Sequence, residues 1–152
     1  MSGPEQRLAE LGLALPDVAA PVAAYVPAVR TGDHVYTSGQ LPTRAGELVA
    51  TGKVGGDVTA EQAKECAQQC ALNALTAVRA EVGDLAAVKR VVKVVAFVSS
   101  TPDFTGQPQV ANGASELLAQ VFGDAGQHAR SAVGVPVLPL DAPVEVELVV
   151  EV

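Results

Sequence analysis

The segment that most constrains the fold of this chain is residues 91–98, which reads VVKVVAFV. Successive side chains of a β-strand point to opposite faces of a sheet, and this run is largely apolar at both sets of positions. A strand with one solvated face would alternate apolar and polar residues. We therefore expect the segment to form a strand that is buried on both faces.

Two long helices flank this strand in the sequence. The first begins after Thr59, which can form a capping box with Gln62, and ends before Gly83. Its apolar positions recur at helical spacing and comprise Ala63, Cys66, Ala67, Cys70, Ala71, Ala74, Leu75 and Val78. The second covers residues 108–122, and its inward residues are predicted to be Val110, Ala114, Leu117, Leu118 and Val121. A shorter helix is predicted over residues 4–11, with Leu8 and Leu11 facing inward.

β-Rich runs complete the chain. Residues 25–30 and 34–40 flank a turn that contains glycine and predict a hairpin, while residues 47–54 are a candidate for one more short strand. Residues 127–152 read as two strands joined by a proline-rich turn, which we expect to form a closing hairpin. The order ββαβαββ predicts an α+β fold in which a mixed sheet carries two helices on one face.

Two helices can cover only one face of such a sheet, so the other face needs a second explanation. The doubly apolar strand indicates that this other face is buried as well. Since no further segment is available, the simplest cover is another copy of the chain in a closed symmetric oligomer. The alternative is a solvated antiparallel surface.

Composition limits the function classes. The net charge of −7 and a pI near 4.7 disfavour a nucleic-acid binder, which needs a basic face. No run is long and apolar enough for a transmembrane helix, and the first residues lack the pattern of a secretory signal, so we expect a cytoplasmic protein without membrane contact. Cys66 and Cys70 are the only cysteines, and we interpret them as reduced, buried thiols rather than a metal or redox pair.

Arg130 is the most unusual residue of the closing strands. Alternation separates two sets of residues: Ser131, Val133, Val135 and Val137 are assigned to the helix side, and Arg130, Ala132, Gly134 and Pro136 to the other. The expected closing hairpin would bring Glu145 or Glu147 into the same region of the sheet. A guanidinium grips a carboxylate through two parallel hydrogen bonds, and a neighbouring carboxylate can position a water molecule. The alternative is a structural Arg–Glu pair at an oligomer interface.

Several motifs, in order along the chain, resemble those of the YjgF/Rid family of RidA-like proteins. They are YVPAVRTGDHVYTSGQLP, the helix that begins at Thr59, VVKVVAFVSSTPDF and HARSAVGVPVLPLDAPVEVELVVEV. The resemblance implies a chorismate-mutase-like fold and a homotrimer whose sheets form an inner barrel, with three ligand sites between subunits. It also implies hydrolysis of reactive 2-enamine and 2-imine intermediates to 2-keto acids and ammonia, without a metal or an organic cofactor.

The resemblance assigns roles to individual positions. Arg130 matches the arginine that binds the substrate carboxylate, and Glu145 matches the glutamate that holds the attacking water. The matching substrate-binding positions are Tyr25, Ser38, Asn112 and Ala132. At the position of Ala132 the active branch of the family commonly has Cys. Asn112 follows the insertion TGQPQ, and Gly134 and Pro136 replace larger or charged residues. We expect a single domain over residues 1–152, with residues 1–21 as an N-terminal extension. With these departures from the family pattern, the chain resembles a divergent, longer subgroup of the family.

Two other functions stay open on the sequence alone. The same cleft could bind a keto acid in a trimer without turnover, or the chain could be a scaffold whose Arg–Glu pair is structural. His34 and His128 are the only histidines. His128 shares the Arg130 face if the strand begins early, where it is either a catalytic group or a hydrogen-bonded structural one. A ribonuclease function is disfavoured by the acidic charge, the few aromatic residues and the lack of a histidine pair.

Overall fold

The computed structural model describes residues 2–18 and 23–152, and its elements follow the expected order. The helices are α1 (Pro4–Glu10), α2 (Ala60–Val82) and α3 (Gln107–Phe122). The strands are β1 (Ala28–Thr31), β2 (His34–Thr37), β3 (Thr43–Arg44), β4 (Glu47–Leu48), β5 (Arg90–Ser99), β6 (Ala129–Val135) and β7 (Val144–Glu151). This is the predicted mixed α+β fold.

Five strands form one sheet in the order β1-β2-β7-β5-β6, while β3 and β4 pair separately. β5 is parallel to β6, whereas its pairing with β7 is antiparallel. The two closing strands therefore lie on either side of β5, and the predicted closing hairpin is wrong. α3 returns the chain so that β6 runs parallel to β5, and residues 136–143 then carry it past β5 to the other edge of that strand.

The helices cover one face of this sheet. The buried members of the two central strands alternate along them, and they are Val91, Val94, Ala96 and Val98 in β5 and Val144, Val146, Leu148 and Val150 in β7. Directly opposed residues share a face, and Arg130 lies opposite Val94. Arg130, Ala132 and Gly134 therefore point to the helix side, and the predicted assignment is reversed. Alternation fixes the period of a strand but not which set faces the core.

Both long helices match their sequence signals. Thr59 Oγ1 accepts the Gln62 backbone N–H at 3.1 Å, and Gln62 Oε1 accepts the Thr59 N–H at 2.9 Å, which completes the capping box. Gly83 ends α2 with a positive φ of 88°. Every residue predicted to face inward from α3 is buried. In α1 only Leu8 is buried, whereas Leu11, the residue after the helix, is 42% exposed, so the predicted inward position of Leu11 is wrong.

The remaining face carries a partly apolar surface that no long helix covers. Val29, Tyr36 and Val133 lie on it, with exposed fractions of 52%, 48% and 44%. Register places Phe97 and Glu145 on the same face as Val133. The central strand thus has apolar side chains on both faces, but a single chain buries only one of them completely. No helix among the described residues is long and apolar enough to cross a membrane.

The candidate strand at residues 47–54 is only partly present. Glu47–Leu48 pairs with Thr43–Arg44, and Val54 makes isolated bridges to Val58 and Ser100. β4 ends at Leu48, and Gly52 has a positive φ of 113°, so residues 47–54 do not form one continuous strand.

Candidate functional site

Arg130 is anchored to α3 from the edge strand β6. Its Nη1 donates to Asn112 Oδ1 at 2.8 Å and to Ser115 Oγ at 3.1 Å. Asn112 and Ser115 are three residues apart on the helix, so they share a face and meet the guanidinium together. In residues 2–18 and 23–152 no carboxylate lies within ion-pair distance of Arg130, and both partners are neutral. The Nε and Nη2 edge of the guanidinium therefore has no protein acceptor in that part of the chain.

His128 continues this cluster. Its Nε2 lies 2.9 Å from Ser115 Oγ, and its Nδ1 lies 2.6 Å from the carbonyl oxygen of Gly126. Sequence reasoning had weighed His128 but had missed Ser115. The available signal was the three-residue spacing from Asn112, which places a second polar group on the same helix face.

Ala132 and Gly134 follow Arg130 on the helix side of β6. Ala132 is half-buried and packs against the core. A Cβ added at Gly134 would lie 2.9 Å from Gln107 Nε2 and 2.9 Å from Ser100 Oγ. The space that a larger residue would take at Gly134 is thus filled by the Gln107 amide, which donates to the Phe104 carbonyl at 2.8 Å. Gln107 is a second neighbour of this face that the sequence did not reveal.

Glu145 lies on the other face of the sheet, at the start of β7. It packs against Gly39, where an added Cβ would be 3.1 Å from Glu145 Cγ. The neighbouring Gln40 exchanges two backbone hydrogen bonds with Val146, at 2.8 and 3.0 Å, which holds Gly39 in place. Burial, and secondarily the negative charge of Glu147, raise the pKa of Glu145. The carboxylate is thus held in a setting that favours its protonated form.

Ser38 and Tyr25 belong to the neighbourhood of Gly39. Ser38 Oγ donates to the Val26 carbonyl at 2.6 Å, which ties the end of β2 to the segment before β1. Tyr25 is 57% exposed and lines, together with Gly39, a cleft of about 570 Å³. Gly39 thus follows Ser38 in the chain, packs against Glu145 and shares the lining of the cleft with Tyr25.

The loop beside this cleft is held by a buried polar network on α2. Asn73 is buried, and its Nδ2 donates to the carbonyls of Leu41 and Thr43 at 3.0 and 3.1 Å. Asn73 Oδ1 accepts from Gln69 Nε2 at 3.1 Å, and Arg44 Nε donates to Gln69 Oε1 at 3.2 Å. Since Leu41 and Thr43 line the cleft, the network fixes its wall.

The two groups of candidate residues do not meet within one chain. Glu145 lies opposite Phe97, which lies opposite Val133, so β6 and β7 are two strand spacings apart, about 10 Å. Arg130 is three residues from Val133 and points to the opposite face of the sheet. The structure brings Arg130 together with Asn112, and it packs Glu145 against Gly39, the residue that follows Ser38, but it separates these two groups. Tyr25 shares only the lining of the cleft with Gly39.

The cysteines lie outside both groups. Cys66 and Cys70 are free and buried, as predicted, and Cys70 Sγ donates to the Val144 carbonyl at 3.7 Å. Burial, with a smaller contribution from Glu65, raises the pKa of Cys66 to about 11, and burial also raises the pKa of Cys70. Among the described residues no three His, Cys, Asp or Glu side chains gather as a metal site.

Comparison with known proteins places the chain in a family. Residues 5–152 match the model of a family described as "YjgF/chorismate mutase-like, putative endoribonuclease". The chain is 47% identical to Protein TCP17 of Trypanosoma cruzi over 145 residues, which are 95% of this chain and 91% of that protein.

Solved structures agree with this assignment. The crystal structure of Atu1372 from Agrobacterium tumefaciens, a protein of unknown function, has a TM-score of 0.91 and 45% identity over 98% of this chain and 91% of its own. The YjgF gene product of Escherichia coli has a TM-score of 0.64 and 28% identity over 89% and 93%. The sequence motifs, the fold and these matches agree: the chain belongs to the YjgF/chorismate mutase-like family.

Proposed function

We propose that this protein hydrolyses reactive 2-imino acids, formed directly or from their enamine tautomers, to 2-keto acids and ammonia. The observation that carries the proposal is the half-buried Arg130, whose known partners are two neutral oxygens and whose Nε and Nη2 edge is open. A guanidinium held in this way, without a counter-ion in the described chain, can take a ligand carboxylate through two parallel hydrogen bonds.

Glu145 supplies the second part of the proposed reaction. In its ionised form it accepts a proton from water while the water oxygen bonds to the C=N carbon. Glu145 then gives this proton to the nitrogen, the new hydroxyl group passes its own proton to the nitrogen by way of Glu145, and the C–N bond breaks so that ammonia leaves as the keto group forms. The raised pKa of Glu145 makes it a stronger base than an exposed glutamate, which suits this proton transfer. The proposed substrate contacts on this side are Tyr25, which lines the cleft together with Gly39, and Ser38, which precedes that glycine.

The separation of the two groups supports a site between subunits. We propose that the uncovered face of the sheet packs in a homotrimer, in which Arg130 of one copy meets Glu145 of the next. Two features support this arrangement: the exposed Val29, Tyr36 and Val133, and the lack of a counter-ion for either charged group among the described residues. A closed ring of copies buries such a face in every subunit.

RNA cleavage is not proposed, although the description of the family includes it. The net charge is −7, and Arg130 is held among neutral side chains rather than in a basic patch. A protein that binds RNA phosphates needs several cations together, and readout of single strands uses stacked aromatic side chains.

The test is release of keto acid from iminopyruvate, generated in situ from serine by a dehydratase. The native protein should accelerate it, and Arg130→Ala should not. Arg79→Ala is the matched control, since Arg79 lies on α2 with Glu5 as its ion-pair partner at 4.0 Å. No acceleration by the native protein would contradict the proposal.

Carboxylate binding without turnover is the second candidate. Ala132 favours it, because its methyl group offers no polar atom at a position where the active branch of the family commonly has a thiol. In that case pyruvate would bind the native protein and not Arg130→Ala, while iminopyruvate would be hydrolysed at the background rate.

A further inference from the structure

The cluster behind Arg130 has a defined hydrogen-bond direction. The Gly126 carbonyl can only accept, so the His128 nitrogen 2.6 Å away from it, Nδ1, carries the proton. In the neutral ring Nε2 is then an acceptor, and the Ser115 hydroxyl at 2.9 Å donates to it. The Ser115 oxygen keeps its lone pairs for Arg130 Nη1 at 3.1 Å. Arg130 Nη1, Ser115, His128 and the Gly126 carbonyl thus form a hydrogen-bond relay in which each bond pairs one donor with one acceptor.

We propose that Ser115 and His128 are positioning residues, which orient the Arg130 guanidinium so that its Nε and Nη2 edge faces the ligand carboxylate. This inference rests on the proposed role of Arg130 as a carboxylate clamp. Ser115 and His128 touch no ligand in the proposal, and they act only through Arg130.

Two anchors are needed because one leaves the guanidinium free to turn. With Asn112 alone, Nη1 could keep its hydrogen bond while the plane of the group rotates around it. The second bond, from Nη1 to Ser115, fixes that plane and leaves the opposite edge open. A carboxylate needs both N–H groups of such an edge in a fixed plane for two parallel bonds.

The far end of the relay is rigid. Gly126 is buried beside the end of α3, where an added Cβ would lie 2.8 Å from the Leu118 carbonyl carbon and 3.1 Å from Ala119 Cα. The turn that carries the Gly126 carbonyl is therefore packed against the helix that carries Ser115 and Asn112. His128 links this turn to β6, two residues before Arg130.

The first test is pyruvate binding, measured by titration calorimetry on the purified full-length protein. Ser115→Ala and His128→Ala should each weaken binding by about three- to tenfold, the range of one hydrogen bond. His128→Gln should stay within about twofold of the native protein, because a Gln amide can place an acceptor near the Nε2 position. Methyl pyruvate, which lacks the carboxylate charge, should bind all of these variants equally, and His34→Gln is the histidine control.

The second test is the ¹⁵N signature of the two histidine rings at neutral pH. His128 should be the Nδ1–H tautomer, with His34 as the internal comparison. An Nε2–H tautomer at His128, or native pyruvate affinity in Ser115→Ala together with a loss of binding in Arg130→Ala, would overturn the relay alone. Native affinity in Arg130→Ala would overturn the clamp, and the relay with it.

Discussion

Arg130 and Glu145 are both half-buried ionisable residues, but their surroundings differ, and the difference indicates a separate role for each. Arg130 is anchored by Asn112 and Ser115, so its charge is held in one orientation. Glu145 packs on Gly39, and burial and Glu147 raise its pKa. One group is fixed and the other is destabilised in its charged form, and in the described chain neither has a counter-ion. A charge kept without a partner is costly, so we interpret the two neighbourhoods as complementary halves of a site that two subunits share.

The largest effect is expected from breaking the contact between copies. Tyr36→Asp places a charge on the uncovered face of the sheet, where Tyr36 is 48% exposed in one chain. The variant should be a single chain by light scattering, and it should lose imine hydrolysis because no site is complete. Val137→Asp is the control, since Val137 is 62% exposed and lies after β6 rather than in the sheet. An oligomer of native mass from Tyr36→Asp would contradict this role of the face.

Glu145→Gln should separate activity from stability. Removing a general base lowers the rate about 10²- to 10⁴-fold. The pKa of Glu145 is raised in the folded protein, so its ionisation costs stability as pH rises from the unfolded pKa through the folded one. Measured in the single-chain Tyr36→Asp background, where Arg130 of a second copy is absent, Glu145→Gln should therefore raise the Tm at pH 7, and the difference should shrink at acid pH. A lower Tm at pH 7 in that background would show that Glu145 has a stabilising partner within its own chain.

Arg130→Lys sharpens the other half of the comparison. The ammonium keeps the charge but lacks the planar pair of donors, so carboxylate binding should weaken by about tenfold, less than in Arg130→Ala. The Kd for pyruvate measures this effect. Equal affinity of the Lys variant and the native protein would mean that the positive charge alone binds the carboxylate, and that the oriented Nε and Nη2 edge of the guanidinium is not needed.

Chemical modification of the cysteines is expected to have the smallest effect. It also provides a reference for buried side chains that lie outside the candidate site. With a pKa of about 11, Cys66 carries only about a thousandth of its thiol as thiolate at pH 8. Iodoacetamide should modify neither cysteine in the folded protein over a period that completes modification in urea, and activity should not change. Rapid modification of Cys66 in the folded protein would place it in an accessible pocket.

The sequence predicted those elements whose signals are local. The capping box at Thr59, Gly83 as the end of α2, the inward residues of α3 and the apolar strand β5 depend on spacing within a few turns or residues. The closing hairpin failed because strand pairing depends on the path of residues 136–143, which no local pattern records. The predicted face of Arg130 was the wrong one because alternation alone does not show which set of side chains faces the core. That depends on the pairing with the neighbouring strand.

The site was predictable only in part for the same reason. Arg130, Asn112, Ser38 and Glu145 came from motifs, but which of them are neighbours depends on sheet order. Ser115 and Gln107 were missed because a polar residue on a helix ordinarily indicates a solvated face. Gln107 fills the space beside Gly134, and Ser115 meets Arg130 and His128 because the chain returns through Gly126 to β6.

The most direct test of the shared site is to mix two inactive variants, Arg130→Ala and Glu145→Gln, by co-refolding equal amounts. If each cleft takes Arg130 from one copy and Glu145 from the next, about a quarter of the clefts will have both native residues, whatever the number of copies in a closed ring. The account predicts recovery of about a quarter of the native rate of imine hydrolysis under random assembly of the ring. Full exchange of subunits without any recovery would contradict it, because both residues would then have to come from the same chain.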